Sequence, residues 1–383
     1  MTKKMKLFIP CYYAFFSNGM MALVLGSVLP YLIQEAGINY SVAGGLLSAF
    51  AIGNLLASFV NPICVKILGR KLTTIILSAL IPLSLFTITT LAPIPILYLA
   101  CVLLGIGRGT VSITNNMVVN DHDGRPIALN LLHTTFAMGA FLAPFLTGLY
   151  VGNGFNWRWI MYTIMILCTI SCIGYVSMPL DDKKATGKNT KDNKAFLHNP
   201  DFYIMGLLLF FYLGAENCVN GWFVTYFKST GIMSDQYATN LVSITWFVIM
   251  LGRLVTAYLS TKISKQLLIL TNCICTTLFF FLLIATSNLI WITIAVVGLG
   301  FFFAGIYPTG IANAGECIKG STSGMSLLLA IAALGGIITP QIIGIVADAI
   351  GMFGAIGILT INVGAMVLLA IINCLRHREP SKS

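Results

Sequence analysis

Two ionisable side chains, Arg108 and Glu216, lie deep inside long apolar runs of the sequence. Each lies 14 positions after the start of its run, at Ile94 and at Phe202. At 1.5 Å per residue in a helix, both are about 21 Å from the start, near the middle of a segment that could span a bilayer. A charge at the bilayer centre costs at least ~2.5 kcal/mol, so charges retained there are candidates for function.

Glu216 is the candidate proton site. Burial favours the neutral carboxyl and a nearby cation favours the carboxylate, so a contact with Arg108 that forms and breaks would release and take up a proton. A static buried ion pair is the alternative. Arg108 could also bind a carboxylate or phosphate, which makes an organic anion a candidate substrate. His133 is a candidate proton relay, or else a histidine bonded to a helix backbone.

Amide and aromatic side chains in the same runs have the chemistry of a sugar site. Amides donate and accept hydrogen bonds, and aromatic rings offer flat faces with polar tips. The candidate substrate-binding residues are Asn18, Arg108, Asn217, Asn220, Trp222, Tyr226 and Trp246. Trp222 and Tyr226 could instead belong to an aromatic belt at the membrane interface. Arg253 and Glu316 are a candidate ion pair at the cytoplasmic side of the second half of the chain. It would act as a gate, by forming when the path to the cytoplasm is closed.

The composition excludes the water-soluble classes. Lys and Arg number 22 and Asp and Glu number 12 among 383 residues, or 9% charged, whereas soluble domains have about 25%. The net charge is +10, but the basic residues are scattered along the chain and form no patch, so nucleic acid is not expected as a partner. The ten cysteines match no metal or disulfide spacing and predict packing. With no clustered catalytic set and no nucleotide-binding loop, neither an enzyme nor direct ATP drive is predicted.

Twelve apolar runs are long enough to cross a bilayer as helices. These spans are Leu7–Gln34, Val42–Ile67, Leu72–Leu91, Ile94–Val118, Ile127–Tyr150, Trp159–Met178, Phe202–Phe227, Tyr237–Leu259, Leu267–Thr286, Leu289–Ile311, Ser326–Ile350 and Phe353–Leu375. With both termini in the cytoplasm, the inner segments hold 18 of the 22 Lys and Arg residues. The positive-inside rule therefore predicts a multi-pass protein of the cell membrane with both termini cytoplasmic.

A polar segment between spans 6 and 7 divides the chain. It predicts an N-terminal six-helix bundle at 1–180, a cytoplasmic linker at 181–200 and a C-terminal six-helix bundle at 201–383. Sequence echoes indicate that the two halves are a duplication. Spans 5 and 11 share the pattern A-x-G-small-x-(L/I)-x-P-x-(L/I)-x-G from Ala137 and from Ala333. The other echoes pair Gly53 with Gly252 and Gly105-x-Gly107 with Gly298-x-Gly300.

The whole chain resembles the major facilitator superfamily, through its two six-helix halves, its basic central loop and Gly69-Arg70-Lys71, which fits the end of the family's loop signature between spans 2 and 3. It is similar within that family to the fucose and glucose proton symporters. The segments that carry this likeness are Ala128-Leu-Asn130-Leu-Leu-His133, Gly214-Ala-Glu216 and Gly252-Arg253-Leu254. A partial exporter motif from Gly139 to Gly148 leaves a drug or metabolite exporter open.

This resemblance implies an all-helical membrane fold of two pseudo-symmetric bundles that work by alternating access. The predicted function is secondary active transport of a small polar solute, a sugar carried with protons. An organic-anion or metabolite symporter and a drug or metabolite exporter are the alternatives. We expect a monomer in the lipid bilayer, driven by the proton gradient, with a small-molecule substrate and no cofactor or metal.

Overall fold

The computed structural model describes residues 3–122, 126–180, 194–318 and 321–377, and its regular structure in these ranges is helical throughout. Within these ranges, twelve helices are long and apolar enough to cross a membrane, which confirms the predicted fold class. Helices 1 to 12 are Leu7–Ala36, Tyr40–Leu68, Arg70–Thr89, Ile94–His122, Ala128–Gly152, Arg158–Ser177, Pro200–Ser229, Asp235–Leu259, Lys265–Ala285, Leu289–Ala314, Ser323–Ile356 and Leu359–Arg376.

The largest departure from the predicted bounds is at the junction of helices 11 and 12. The predicted ends at Ile350 and Phe353 become Ile356 and Leu359. The reason lies at Gly351, whose φ of 83° and ψ of 162° are outside the helical region, so the regular helix is interrupted there by a kink. About one further turn of helix follows this bend, and helix 12 begins only after it.

Most of the predicted linker, residues 181–193, lies outside the described residues. The part that follows contains a short 3₁₀ helix, Ala195–His198, directly before helix 7. Phe196 is buried there, and its ring packs against that of Phe202 with centroids 4.9 Å apart. The end of the linker is therefore anchored to the start of helix 7.

Helices 2 and 3 are joined by a single residue, Gly69, whose φ is 81°. Only glycine adopts this conformation without strain, because it has no Cβ. At the other end of helix 2, the Asn39 side chain accepts a hydrogen bond of 2.9 Å from the Val42 amide and caps the helix. The predicted spans 2 and 3 are thus separate helices with almost no loop between them.

Two compact units make up the chain. The first contains Met1–Lys188 and Asn220–Ser243, and the second contains Asn189–Val219 and Ile244–Ser383. The first unit therefore includes the last part of helix 7 and the first part of helix 8, in addition to helices 1 to 6. Glycines allow this packing: Gly26 of helix 1 lies against the Asn220 carbonyl, and Gly148 of helix 5 lies against Thr239.

The shared pattern of spans 5 and 11 has the same packing role in both units. In the first unit, Gly139 of helix 5 lies directly against the Phe16 carbonyl of helix 1. In the second unit, Gly335 of helix 11 lies directly against the Phe210 carbonyl of helix 7. A side chain at either glycine would collide with backbone, so the motif fixes a close helix crossing in each unit.

A second crossing also repeats, but one predicted echo is out of register. Gly53 of helix 2 lies against the Val102 carbonyl of helix 4, and Gly252 of helix 8 lies against the Phe301 carbonyl of helix 10. The predicted pairing of Gly105 with Gly298 is wrong. Gly105 packs on the backbone of helix 2, whereas a Cβ at Gly298 would meet the Phe279 ring of helix 9. Ala304, whose Cβ lies 2.9 Å from the Cβ position of Gly252, holds the place that corresponds to Gly105.

Candidate functional site

Glu216 is half-buried in the second unit and interacts with an aromatic group on its own helix. The Tyr212 hydroxyl donates a hydrogen bond of 3.2 Å to Glu216 Oε1. The two residues are four apart on helix 7, so their side chains lie on the same face. The ring of Tyr212 is buried against Phe303 and Tyr307 of helix 10, with centroids 4.7 and 5.9 Å away. Packing thus fixes the donor that holds the carboxylate.

Two further polar groups of the second unit belong to the same site. The charges of Glu216 and Arg253 both act on the Tyr212 hydroxyl, and the charge of Glu216 also acts on Tyr307. We call Glu216, Tyr212, Tyr307 and Arg253 the Glu216 cluster. It combines a carboxyl group, two phenol hydroxyls and a guanidinium from helices 7, 8 and 10, and it can hold a proton or bind a polyhydroxylated molecule.

Tyr212 and Tyr307 were not among the predicted site residues. The spacing of Tyr212, four residues before Glu216, was a usable signal in the sequence. Tyr307 carried no such signal, because its relation to Glu216 depends on how helix 10 packs against helix 7. Arg253 was predicted to pair with Glu316, but the structure pairs Glu316 with Lys265 instead, at 2.6 Å. Lys265 begins helix 9 and Glu316 follows the end of helix 10. Both side chains are exposed there, so they can pair.

Arg108 lies in the first unit. Its Nη1 donates a hydrogen bond of 2.8 Å to Asn54 Oδ1 of helix 2. Its guanidinium also lies 5.8 Å from the ring centroids of Phe50 and Phe136. Two aromatic faces and an amide therefore hold the cation in a half-buried position.

The predicted substrate residues of the second unit are used in packing. Asn217 donates a hydrogen bond of 2.9 Å to the Gly336 carbonyl, which ties helix 7 to helix 11. Trp246 is 4% exposed. In the first unit Asn18 is also buried, facing an internal cavity described below.

The three predicted residues at the end of helix 7 lie in the first unit. Asn220 contributes its carbonyl to the close contact with Gly26. Trp222 is fully buried, and its ring meets that of Tyr40 edge-on at 6.2 Å. Tyr226 is buried beside the rings of two phenylalanines of the same helix. The two aromatic residues face a protein core, so the structure does not place them in an interfacial belt.

His133 is exposed on helix 5, with its ring edge-on to Phe15 of helix 1 at 5.6 Å. It lies in the first unit and the Glu216 cluster lies in the second. No group of three or more His, Cys, Asp or Glu side chains that could bind a metal occurs within the described ranges.

A charged contact in the first unit lies beside the turn that joins helices 7 and 8. Lys228 Nζ is 2.6 Å from Asp235 Oδ2 and 3.7 Å from the ring centroid of Tyr31. The Tyr31 hydroxyl donates a second hydrogen bond, of 3.3 Å, to the same Asp235 oxygen. The ion pair joins the end of helix 7 to the start of helix 8, and Tyr31 ties helix 1 to both through its hydrogen bond and its cation–π contact.

The family model of the Major Facilitator Superfamily matches residues 11–340. The chain belongs to this superfamily. It is 24% identical over 352 residues to the glucose/mannose transporter GlcP of Bacillus subtilis (strain 168), covering 87% of this chain and 86% of the relative. The superfamily consists of transporters, so the protein is a multi-pass membrane transporter and not an enzyme, as predicted.

Solved structures give the same fold. The nucleoside transporter NupG superimposes with a TM-score of 0.79 at 17% identity, covering 99% of this chain and all of that one. A D-xylose-proton symporter superimposes with a TM-score of 0.76 at 13% identity and 97% coverage of both chains. The fold of these two structures therefore covers almost the whole of this chain.

Proposed function

We propose that the protein takes up a sugar together with protons by alternating access, with Glu216 as the proton-binding group. The observation that carries this proposal is the Glu216 cluster, in which a half-buried carboxylate accepts a hydrogen bond from a tyrosine fixed by packing. A carboxyl group in a membrane helix costs free energy, so a carboxyl group that is retained there is a candidate for function. The name of the D-xylose-proton symporter lends this coupling further support.

The proton step follows from the groups around Glu216. The Tyr212 hydroxyl and the Arg253 charge favour the carboxylate, and loss of water from the site favours the neutral acid. A change of access that alters the balance of these effects makes Glu216 take up a proton on one side and release it on the other. No cofactor takes part, and the proton gradient supplies the energy.

A sugar is the substrate that we propose, on two grounds. The relative GlcP is named a glucose/mannose transporter. The Glu216 cluster offers a carboxylate, a guanidinium and phenol hydroxyls, which suit the hydroxyl groups of a sugar. We also propose a monomer in the cell membrane with both termini in the cytoplasm, on the strength of the positive-inside distribution.

Glu216→Gln tests the proposal in proteoliposomes. Uphill uptake of labelled glucose, mannose or xylose under an inward pH gradient should be lost, while exchange across sugar-loaded membranes persists, because exchange needs no net proton movement. Glu316→Gln is the matched control, since it removes a carboxylate that pairs with Lys265 at the surface. Undiminished gradient-driven uptake by Glu216→Gln would exclude Glu216 as the proton site. A sodium gradient in place of the pH gradient identifies the coupling ion.

An organic anion is a second candidate substrate, and the geometry of Arg108 favours it. The guanidinium is half-buried beside the Asn54 amide and two phenyl rings, which strengthen its attraction for an anion by reducing its contact with water. A substrate carboxylate or phosphate could bind to it in a bidentate manner. Arg108→Lys keeps the charge but loses this geometry, so anion uptake should fall sharply. Unchanged anion uptake by this variant removes the support for an anion.

A further inference from the structure

We infer that the first unit contains a binding site for one internal water molecule, in a cavity between helices 1, 3, 4 and 6. Polar lining groups come from Ser17, Asn18, Ser78, Ser171 and the thiols of Cys168 and Cys172. The centre of the cavity admits about one water, far less than a sugar requires. Its lining includes neither Arg108 nor any residue of the Glu216 cluster.

Asn18 supplies the main reason for a ligand. The residue is 2% exposed, and its Oδ1 has no hydrogen-bond partner within the described part of the chain. Buried side-chain oxygens are nearly always hydrogen-bonded, because an unpaired one loses its hydration without compensation. A donor in the cavity would satisfy this oxygen.

The neighbouring hydroxyls are better acceptors than donors. Ser171 and Ser17 form a hydrogen bond of 2.8 Å with each other, and each also reaches a carbonyl of its own helix, at 3.2 and 3.1 Å. Ser78 likewise reaches the Ile75 carbonyl, at 3.2 Å. Ser78 also contacts the Cys172 thiol, at 3.4 Å. Since each hydroxyl has a single proton, the bonds to carbonyls leave the hydroxyl lone pairs available to accept from a ligand. The ligand must therefore be a donor.

Water fits these walls better than a cation does. The lining contains no charged side chain, and Ala14, Ile81 and Val111 make the rest of it apolar. Without a carboxylate, a desolvated cation would not recover its hydration energy there. A neutral water can donate one proton to Asn18 Oδ1 and the other to a serine oxygen, which joins helix 1 to helix 3 or helix 6. Asn18 would then be a structural residue and not a substrate contact.

X-ray radiolysis with mass spectrometry tests this inference on the purified protein in nanodiscs. Hydroxyl radicals made from a bound water oxidise the side chains next to it. Cys168, which is 2% exposed and lines the cavity, should be oxidised several-fold faster than Cys101 and Cys273, which are fully buried and do not line it. Equal oxidation of the three thiols would overturn the proposal.

Two variants make the result specific. Asn18→Leu replaces the amide by an apolar group of similar size and should bring the Cys168 rate down to that of Cys101. Ser171→Ala, a smaller change, should lower it in part. If Asn18→Leu leaves the excess oxidation unchanged, or if sodium chloride but not choline chloride raises the melting temperature in an Asn18-dependent way, the ligand is not the proposed water. An Asn18→Leu protein with unchanged KM for sugar supports the structural role, and a raised KM contradicts it.

Discussion

The crossing of helices 2 and 4 in the first unit and that of helices 8 and 10 in the second have the same backbone contact but different chemistry. Gly53 and Val102 correspond to Gly252 and Phe301 at a constant separation of 199 residues. At that separation, Asn54 corresponds to Arg253 and Arg108 corresponds to Tyr307. The cation is thus on helix 4 in one unit and on helix 8 in the other.

This difference teaches that the glycines preserve the scaffold while the polar positions have diverged. In the first unit the guanidinium of Arg108 meets an amide and phenyl rings. In the second unit the guanidinium of Arg253 acts on a tyrosine that holds Glu216. The groups suited to proton exchange are therefore concentrated in the second unit.

The largest loss of stability should come from substituting the glycines at the two close helix crossings, and the loss should be equal in the two units. Gly139→Ala and Gly335→Ala each place a methyl group against a backbone carbonyl of a neighbouring helix. Each should lower the free energy of unfolding by about 2–3 kcal/mol, as overpacked cores do. Gly364→Ala is the control, because no atom lies within 4 Å of its Cβ position. Unfolding in mixed detergents measures all three, and a harmless Gly335→Ala would break the equivalence of the crossings.

The two arginines should separate coupling from other functions. Arg253→Gln removes the cation of the Glu216 cluster, which on our proposal favours the carboxylate, so gradient-driven uptake should fall about tenfold while exchange is retained. Arg108→Gln should leave the ratio of uptake with and without a pH gradient unchanged, whatever its effect on the rate. Both variants are measured in the same proteoliposome assay. The opposite result would place the coupling chemistry in the first unit.

Tyr212→Phe should have a smaller effect, on pH dependence. The variant keeps the ring that packs on Phe303 but loses the hydrogen bond to Glu216. That bond stabilises the carboxylate and not the neutral acid, so without it the half-maximal pH of uptake should move upward by about 1 unit or less. Tyr203→Phe, on the same helix, is the control, because its hydroxyl binds the Leu197 carbonyl instead. An unshifted profile in Tyr212→Phe means that this hydroxyl does not act on the proton site.

The surface ion pairs should give the smallest effects. Asp235→Asn breaks the contact with Lys228, whose side chain is 18% exposed, and should cost about 0.5–1 kcal/mol of stability. Glu316→Gln breaks the contact with Lys265, which is 39% exposed, and should cost less. Melting temperatures at low and high salt compare the two. A larger loss from Glu316→Gln would contradict this ranking.

Hydropathy was sufficient to predict the twelve helices. A segment that crosses the hydrocarbon core must be long and apolar, and it must be a helix because its backbone groups have to bond within the segment. The repeated glycines of helices 5 and 11 were also visible in the sequence. The Gly105 and Gly298 pairing was wrong because Gly-x-Gly recurs often in membrane helices, and only contacts distinguish equivalent glycines from accidental ones.

Side-chain partners were less accessible to sequence reasoning. The midplane depth of Arg108 and Glu216 followed from counting residues, but whether they meet depends on helix packing and rotation. Asn217 has the chemistry of a sugar ligand, yet its amide donates to the Gly336 carbonyl because helix 11 approaches so closely there. Only the packed structure reveals which polar groups are already engaged.

The junction at Gly69 has a mechanical consequence. A connection of one residue between two membrane helices has no slack, so axial sliding of helix 2 must pull helix 3 with it. We therefore expect helices 2 and 3 to move together, as one unit that bends at Gly69. Inserting a few flexible residues at Gly69 would lengthen the connection, and a displacement of helix 2 would then no longer be transmitted to helix 3.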